Sequence, residues 1–178
     1  MDQVIIHDKI FIPFISEEKI KERVRELAGK INLDYAGKKP LLIGILNGSF
    51  IFAADLFREL IIEAEISFVK LASYKGISAT GQVVTAIGLK EELHGRHVII
   101  VEDIIDTGKT LYSFLPGLYK QHPASISIAA LLTKPEALEV DMKADHCGFE
   151  IENKFVVGYG LDYDGLGRNL PRLYILKE

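Results

Sequence analysis

The apolar residues of this chain are distributed in two ways, as short unbroken runs and as stripes that recur every third or fourth position. Leu41-Leu-Ile-Gly-Ile-Leu46, Val98-Ile-Ile-Val101 and the stretch from Ser125 to Leu132 are nearly unbroken, as expected of strands in a parallel sheet covered on both faces. Ile20, Val24, Leu27 and Ile31 instead form a stripe at helical spacing. With Ser16 as N-cap and Glu17 and Glu18 in the first turn, an amphipathic helix is predicted from about Glu17 to Lys30. Behind the first run, Asn47-Gly-Ser49 reads as a tight turn and Phe50 to Leu60 as a helix, completing a strand–turn–helix unit. Glu65 to Ala72 and Gln82 to Leu89 read as strands. Between them lies a Gly- and Ser-rich segment with few apolar anchors, predicted to be mobile. Thr110 to Tyr119 reads as a helix that Pro116 should kink or shorten, and Phe155-Val-Val157 and Leu173 to Leu176 as short strands. Strands alternating with helices predict an α/β fold, a central parallel sheet flanked by helices. The shorter elements at the N-terminus and from about 134 to 178 are expected to form a small flap, or hood, over the sheet edge.

Composition narrows the classes available. A chain of 178 residues suits one domain that buries roughly 70% of its unfolded surface. A net charge of -4 and a pI near 5.8 argue against nucleic-acid and membrane-surface partners, which favour basic patches. The N-terminal sequence lacks the basic start and apolar core of a signal peptide, and no apolar run approaches ~18 residues; a soluble, cytoplasmic protein is expected. Cys147 is the only cysteine, which excludes internal disulfides and thiolate metal clusters. Its neighbour His146 invites a nucleophilic Cys–His reading, but adjacent strand residues point to opposite faces, so a structural thiol is expected. His7, His94, His97 and His122 have no ligand spacing, and no metal is assigned to a histidine.

The most informative stretch is Val98-Ile-Ile-Val-Glu-Asp-Ile-Ile-Asp-Thr-Gly-Lys-Thr110. Glu102 and Asp103 follow the apolar run at its carboxyl end, the edge where open α/β sheets bind ligands. Asp106 to Thr110 then offers backbone N–H groups, two hydroxyls and a glycine at the start of a helix, the equipment of an anion site. A Walker A loop is ruled out, because the glycine it needs five residues before Gly108 is Asp103. An acidic pair alone would ordinarily be a solvated turn. Followed by a phosphate loop, it suits a ligand with vicinal hydroxyls and a phosphate, such as a ribose 5-phosphate.

Val101-Glu-Asp-Ile-Ile-Asp-Thr-Gly-Lys-Thr110 resembles the phosphoribosyl-pyrophosphate motif of the type I phosphoribosyltransferases. Together with Leu46-Asn-Gly48, Ser73-Tyr74, Lys134, Lys154-Phe-Val-Val-Gly-Tyr-Gly-Leu-Asp-Tyr163 and Arg168, in that order, it is similar to the hypoxanthine-guanine branch, over about residues 40 to 176. The resemblance implies transfer of ribose 5-phosphate from phosphoribosyl pyrophosphate to N9 of a 6-oxopurine, with release of pyrophosphate and a requirement for Mg²⁺. It casts Glu102 and Asp103 as holding the ribose hydroxyls directly or through Mg²⁺, and Asp106 as the general base or hydrogen-bond partner at purine N7. Asp106, Thr107, Gly108, Lys109 and Thr110 would cradle the 5-phosphate. Lys134 would donate to the purine 6-oxo group, since an ammonium has donors only. Phe155 would stack on the base, Val156 would contact its edge through backbone, and Asp162 would lie beside the base and anchor a second Mg²⁺. Leu46, Asn47, Gly48 and Arg168 would meet pyrophosphate, and Ser73 and Tyr74 would begin a closing loop. Asn47 departs from the basic residue many relatives carry there. A homodimer or homotetramer is also implied. Two rivals remain: a nucleotide-sensing regulatory protein on the same fold, and another base specificity such as xanthine or uracil. The lack of basic patches and the presence of Lys134 and Asp106 argue against the first, and Lys134 and Phe155 favour a purine without excluding xanthine.

Overall fold

The computed structural model describes residues 3–73 and 83–177, of which 72, 73 and 83–87 are described by their backbone alone. Two N-terminal strands, β1 (Val4–Ile6) and β2 (Lys9–Ile15), lead into helix α1 (Glu17–Asp34). Then follow β3 (Leu41–Leu46), α2 (Phe50–Arg58), β4 (Glu65–Ser73), β5 (Val83–Ile87), β6 (His97–Ile105), α3 (Lys109–Tyr119), β7 (Ser125–Thr133), a short 3-10 turn at Pro135–Ala137, β8 (His146–Glu150), β9 (Val156–Val157) and β10 (Leu173–Leu176). Among the described residues the strands make a six-stranded sheet ordered β5-β4-β3-β6-β7-β8 and a four-stranded sheet ordered β1-β2-β10-β9. The larger sheet is parallel except at β5, which runs against β4. The smaller, antiparallel sheet is the hood.

Strand order explains where a ligand can bind. β3 hands the chain to β4 on one side, whereas β6, β7 and β8 build outward on the other. The order therefore reverses between β3 and β6, and such a switch point opens a crevice at the carboxyl ends of the strands. Because β3, β6 and β7 are mutually parallel, the residues that follow them emerge on that same edge.

The unbroken runs are buried as their composition requires: Leu41, Leu42, Ile43, Val98, Ile99, Ile100, Leu131 and Leu132 have no exposed surface. One core cluster packs α1 and α2 on one face of the sheet, and a second packs Leu93, Leu111 and Leu118 on the other. On α1, Ile20, Val24, Leu27 and Ile31 are buried, each contributing roughly 1.5–3 kcal/mol, and Ser16 Oγ accepts from the Lys19 amide as the N-cap reading requires.

Several boundaries differ from the sequence reading, each for a local reason. Helix α1 runs past Lys30 to Asp34 because the stripe continues through Ile31 to Tyr35, whose buried hydroxyl meets Ser127 Oγ at 2.6 Å. Strand β6 extends four residues beyond Val101, since Glu102, Ile104 and Ile105 keep pairing with β7; the acidic pair lies within the strand's last turns of pleat. Pro116 stays inside α3; the carbonyl that loses its donor is that of Tyr112, an exposed residue where water can replace it. The segment after Lys134 is divided, for β8 joins the main sheet beside β7 and only β9 and β10 enter the hood. The Ser73 to Gly81 segment expected to be mobile lies, apart from Ser73, outside the described residues.

Candidate active site

Glu102 and Asp103 stand at the mouth of the switch-point crevice. Glu102 is buried, and the cost of desolvating its carboxylate, with the neighbouring Asp103 charge added, pushes its pKa well above the ordinary carboxylate range. The local backbone offers partial relief: the Asp103 amide donates to Glu102 Oε1 at 3.1 Å and the Ile104 amide to Asp103 Oδ1 at 2.8 Å. Two hard oxygen donors with so little compensation are matched by ribose hydroxyls or by a divalent cation. A Mg²⁺ ion suits them because it is usually held by one or two carboxylates plus substrate phosphates and water. Among the described residues no three His, Cys, Asp or Glu side chains gather into a ready-made metal cage.

Below the strand end, a cleft of ≈ 160 Å³ is lined by Glu102, Ile104, Ile105, Asp106, Thr107, Gly108, Thr110 and Leu111. Gly108 is the N-cap of α3 in a left-handed conformation, φ +78, and a Cβ there would lie 2.8 Å from Val140 Cγ2; only glycine fits. The Lys109 amide reaches Thr107 Oγ1 at 3.4 Å, while the Lys109 ammonium pairs with Glu139. The cradle therefore offers amides, hydroxyls and the positive end of α3, with the Lys109 side chain engaged elsewhere.

Lys134 immediately follows β7, so the parallel ladder with β6 carries it beside Asp106. Its Nζ lies 3.1 Å from Asp106 Oδ2 and its amide donates to Ile105 O. The lysine is only 5% exposed, and a buried ammonium requires a partner; the carboxylate is that partner, with half its own surface open to solvent. Phe155 is 42% exposed although its neighbours Val156 and Val157 are buried. Its ring is held at the edge by Tyr163, at 5.7 Å and 82°, and by Phe11, at 6.0 Å, leaving apolar surface free for a flat ligand. Val156 lies in β9, paired with Ile175.

The 46–49 turn packs directly on the acids. A Cβ on Gly48 would sit 1.6 Å from Asp103 Oδ2, and one on Gly160 would sit 2.1 Å from Gly48 O. The main-sheet turn thus lies against both Asp103 and the hood. Leu46 ends β3, Asn47 is exposed, and the Leu46–Asn47 peptide bond is cis. Further along the hood, Arg168 Nη2 lies 2.7 Å from Asp162 Oδ1 and Nη1 donates to Gly160 O at 2.7 Å. Asp162 Oδ2 accepts from the Gly165 amide, so both its oxygens are engaged within the hood loop. Ser73 closes β4, and Tyr74 lies outside the described residues. Sequence reasoning missed Asp55, whose Oδ2 accepts from Tyr159 Oη at 2.6 Å. Its only signal was a lone acid in a helix that is apolar apart from it and the terminal Arg58.

A parallel sheet with acids and a phosphate loop at its switch point, roofed by a small antiparallel hood, defines a phosphoribosyl-transferring protein class. Residues 15–164 match the phosphoribosyl transferase domain, and the chain belongs to that family. It is 43% identical over 165 residues to a hypoxanthine-guanine phosphoribosyltransferase of Streptococcus pneumoniae, covering 92% of each chain. It is 39% identical over 164 residues to the hypoxanthine-guanine-xanthine phosphoribosyltransferase of Tritrichomonas foetus, covering 92% of this chain and 90% of that one. Among solved structures, a hypoxanthine-guanine phosphoribosyltransferase from Bacillus anthracis superposes with a TM-score of 0.89 at 38% identity, covering 96% of this chain and 99% of that chain.

Proposed function

We infer that the protein is a cytoplasmic purine-salvage transferase: it moves ribose 5-phosphate from phosphoribosyl pyrophosphate to N9 of hypoxanthine or guanine, giving IMP or GMP and pyrophosphate. The observation that carries this reading is the buried Lys134 ammonium beside Asp106, on the edge that also holds Glu102, Asp103 and the 107–110 cradle. A donor-only cation favours a 6-oxo group over a 6-amino group. Asp106 then faces purine N7 and holds or takes a proton as the C1′–N9 bond forms and the C1′–pyrophosphate oxygen bond breaks. The exposed face of Phe155 carries the base, and the Val156 backbone meets its edge. The 5-phosphate binds at Thr107 to Thr110 through amides, hydroxyls and the start of α3. Glu102 and Asp103 hold the ribose hydroxyls and place negative charge near the cationic sugar of the transition state.

Bound Mg²⁺ would neutralise phosphate charge; Glu102 and Asp103 are its candidate holders on the ribose side and Asp162 on the pyrophosphate side. Leu46, Asn47, Gly48 and Arg168 receive the pyrophosphate, and Ser73 and Tyr74 begin the cover that excludes water. No helix among the described residues is long and apolar enough to cross a membrane. A homodimer or homotetramer belongs to the same reading, with Phe50, exposed on α2, as a candidate contact, and the net charge of -4 argues against nucleic-acid and membrane-surface partners.

The similarity to the Tritrichomonas foetus enzyme favours one extension, to xanthine as a third base. Both readings are tested by an absorbance assay with phosphoribosyl pyrophosphate, Mg²⁺ and a panel of hypoxanthine, guanine, xanthine, uracil and adenine. Turnover of hypoxanthine and guanine is expected, with adenine inert. Inactivity toward every base would leave the regulatory alternative in its place.

A further inference from the structure

We propose that Asp55 and Tyr159 form a positioning latch that fixes the 46–49 turn of the main sheet against the 158–168 loop of the hood, and so sets the pyrophosphate side of the site. The proposal rests on the transferase reading above. Tyr159 Oη donates to Asp55 Oδ2 at 2.6 Å from a side chain that is 4% exposed. Burial and the adjacent Asp55 carboxylate push the phenol well above its usual range, so it remains a donor at any working pH.

Tyr159 has a left-handed backbone, φ +48, between Gly158 at +100 and Gly160 at +104. A bulky residue keeps such a conformation only where its surroundings over-determine it. The backbone supplies part of that constraint, since Tyr159 N donates to Leu170 O at 2.8 Å and Gly160 N to Arg168 O at 3.0 Å. The phenol supplies the rest, and it reaches across to a different layer of the molecule.

Asp55 lies on α2, which begins at Phe50 directly after the pyrophosphate-side turn. That turn is braced by buried Ser49, whose Oγ donates to Ile45 O at 2.7 Å. Gly160 abuts Gly48 O so closely that no Cβ fits. The loop thus meets the turn and its helix through the backbone approach of Gly160 to Gly48, through apolar packing of Tyr159 and Leu161 in the cluster that holds Phe52, Ala53 and Leu56 of α2, and through the Tyr159–Asp55 hydrogen bond, the directional contact of the three. Arg168 and Asp162 ride on the same loop, Arg168 through Gly160 O. Phe155 is secured mainly from outside the loop, by Phe11 and the Val156↔Ile175 pairing; its one neighbour on the loop, Tyr163, has its own anchor, the phenol donating to Asp8 Oδ1 at 2.7 Å. Releasing the latch should therefore disturb the pyrophosphate side and spare the base side.

Steady-state kinetics of the full chain with phosphoribosyl pyrophosphate, hypoxanthine and Mg²⁺ test this. Tyr159→Phe keeps the buried ring and loses the donor. Its KM for phosphoribosyl pyrophosphate is expected to rise about tenfold, the scale of a lost charge-assisted hydrogen bond. Its KM for hypoxanthine should stay within about twofold and kcat within about threefold. Asp55→Ala should reproduce the effect, Asp55→Asn should rescue it because the amide oxygen still accepts, and the Asp55→Ala, Tyr159→Phe double variant should be no worse than either alone. A wild-type KM for phosphoribosyl pyrophosphate in Tyr159→Phe, equal rises in both KM values, or multiplying effects in the double variant would overturn the latch. If Tyr159→Phe does not fold, the Asp55 pair decides: equal loss in Asn and Ala overturns it. An unmutated chain that turns over no base overturns the transferase reading itself, whereas wild-type turnover with unmoved variant constants overturns the latch alone.

Discussion

Asp106 carries two demands at once. It is the counter-ion of the buried Lys134 and, in the proposed reaction, the group that exchanges a proton with the purine. Asp106→Asn keeps a hydrogen-bonding side chain of the same shape and removes the base, so nucleotide formation should slow by about two to four orders of magnitude, the usual worth of general acid–base catalysis. Phosphoribosyl-pyrophosphate binding, measured by calorimetry, should stay close to wild type; a turnover rate near that of the unmutated chain would remove the assigned role. A second titrating residue acts on stability instead. His146 is buried at the start of β8, and desolvation lowers its pKa from 6.5 against a weaker opposing pull from Asp34. The unfolded chain therefore takes up the proton first as pH falls. This contribution is intact above the unfolded value of 6.5 and is lost progressively below it, by up to about 1.4 kcal/mol for each pH unit within the window. His146→Gln should show a smaller drop in urea midpoint between pH 7.5 and 5.5 than the parent chain; equal drops would show that other groups dominate. The sequence already set the neighbours Cys147 and His146 on opposite faces of a strand, and the structure does the same: Cys147 Sγ meets Thr133 Oγ1 at 3.3 Å and His146 faces Asp34.

Among the elements, legibility followed the strength of the local pattern. The buried runs at Leu41, Val98 and Ser125 and the helical stripe from Ile20 were readable because one periodicity dominates each. β8 was not read as part of the main sheet: His146-Cys-Gly-Phe-Glu150 is short, mixes polar and apolar residues, and gains strand character from pairing with β7. The hood strands are similarly short, held by antiparallel partners distant in sequence. Asp55 was invisible because its partner lies 104 residues away. The 106–110 loop, the proposed phosphate site, was the reverse case, a glycine-hinged helix start legible in sequence yet supported by something the sequence hid. Glu139 N donates to Thr107 O, and Leu138, Val140 and Met142 close in on Gly108 from behind. Gly108→Ala would need a left-handed alanine and a displaced Val140, destabilising by about 1–3 kcal/mol. Thermal melting should show the loss, and the KM for phosphoribosyl pyrophosphate should rise with it. A variant unchanged in both would mean that the loop does not need this conformation.

At the scale of the whole molecule, the proposed site is shared between the two sheets. Glu102, Asp103, Asp106, the 107–110 cradle and Lys134 come from the main sheet, while Phe155, Val156, Asp162 and Arg168 come from the hood. A ligand spanning both should tie the two layers together, and anything that binds the folded state alone stabilises it by RT ln(1 + [L]/Kd), about 2.7 kcal/mol at a hundredfold excess over Kd. For a chain of this size that corresponds to a rise in Tm of roughly 5–10 °C. The chemistry of Lys134 makes the shift selective. IMP presents an acceptor to its ammonium, whereas AMP presents an amino group where a donor already stands, leaving a buried charge that depends on Asp106 alone. IMP should therefore raise Tm well above the shift given by AMP at equal concentration. Phosphoribosyl pyrophosphate should stabilise strongly with Mg²⁺ and weakly in EDTA, because Glu102 and Asp103 would otherwise face phosphates and hydroxyls with their charge uncompensated. Equal shifts for IMP and AMP would remove Lys134 as the discriminating group, and an EDTA-insensitive shift would remove the metal from the acids.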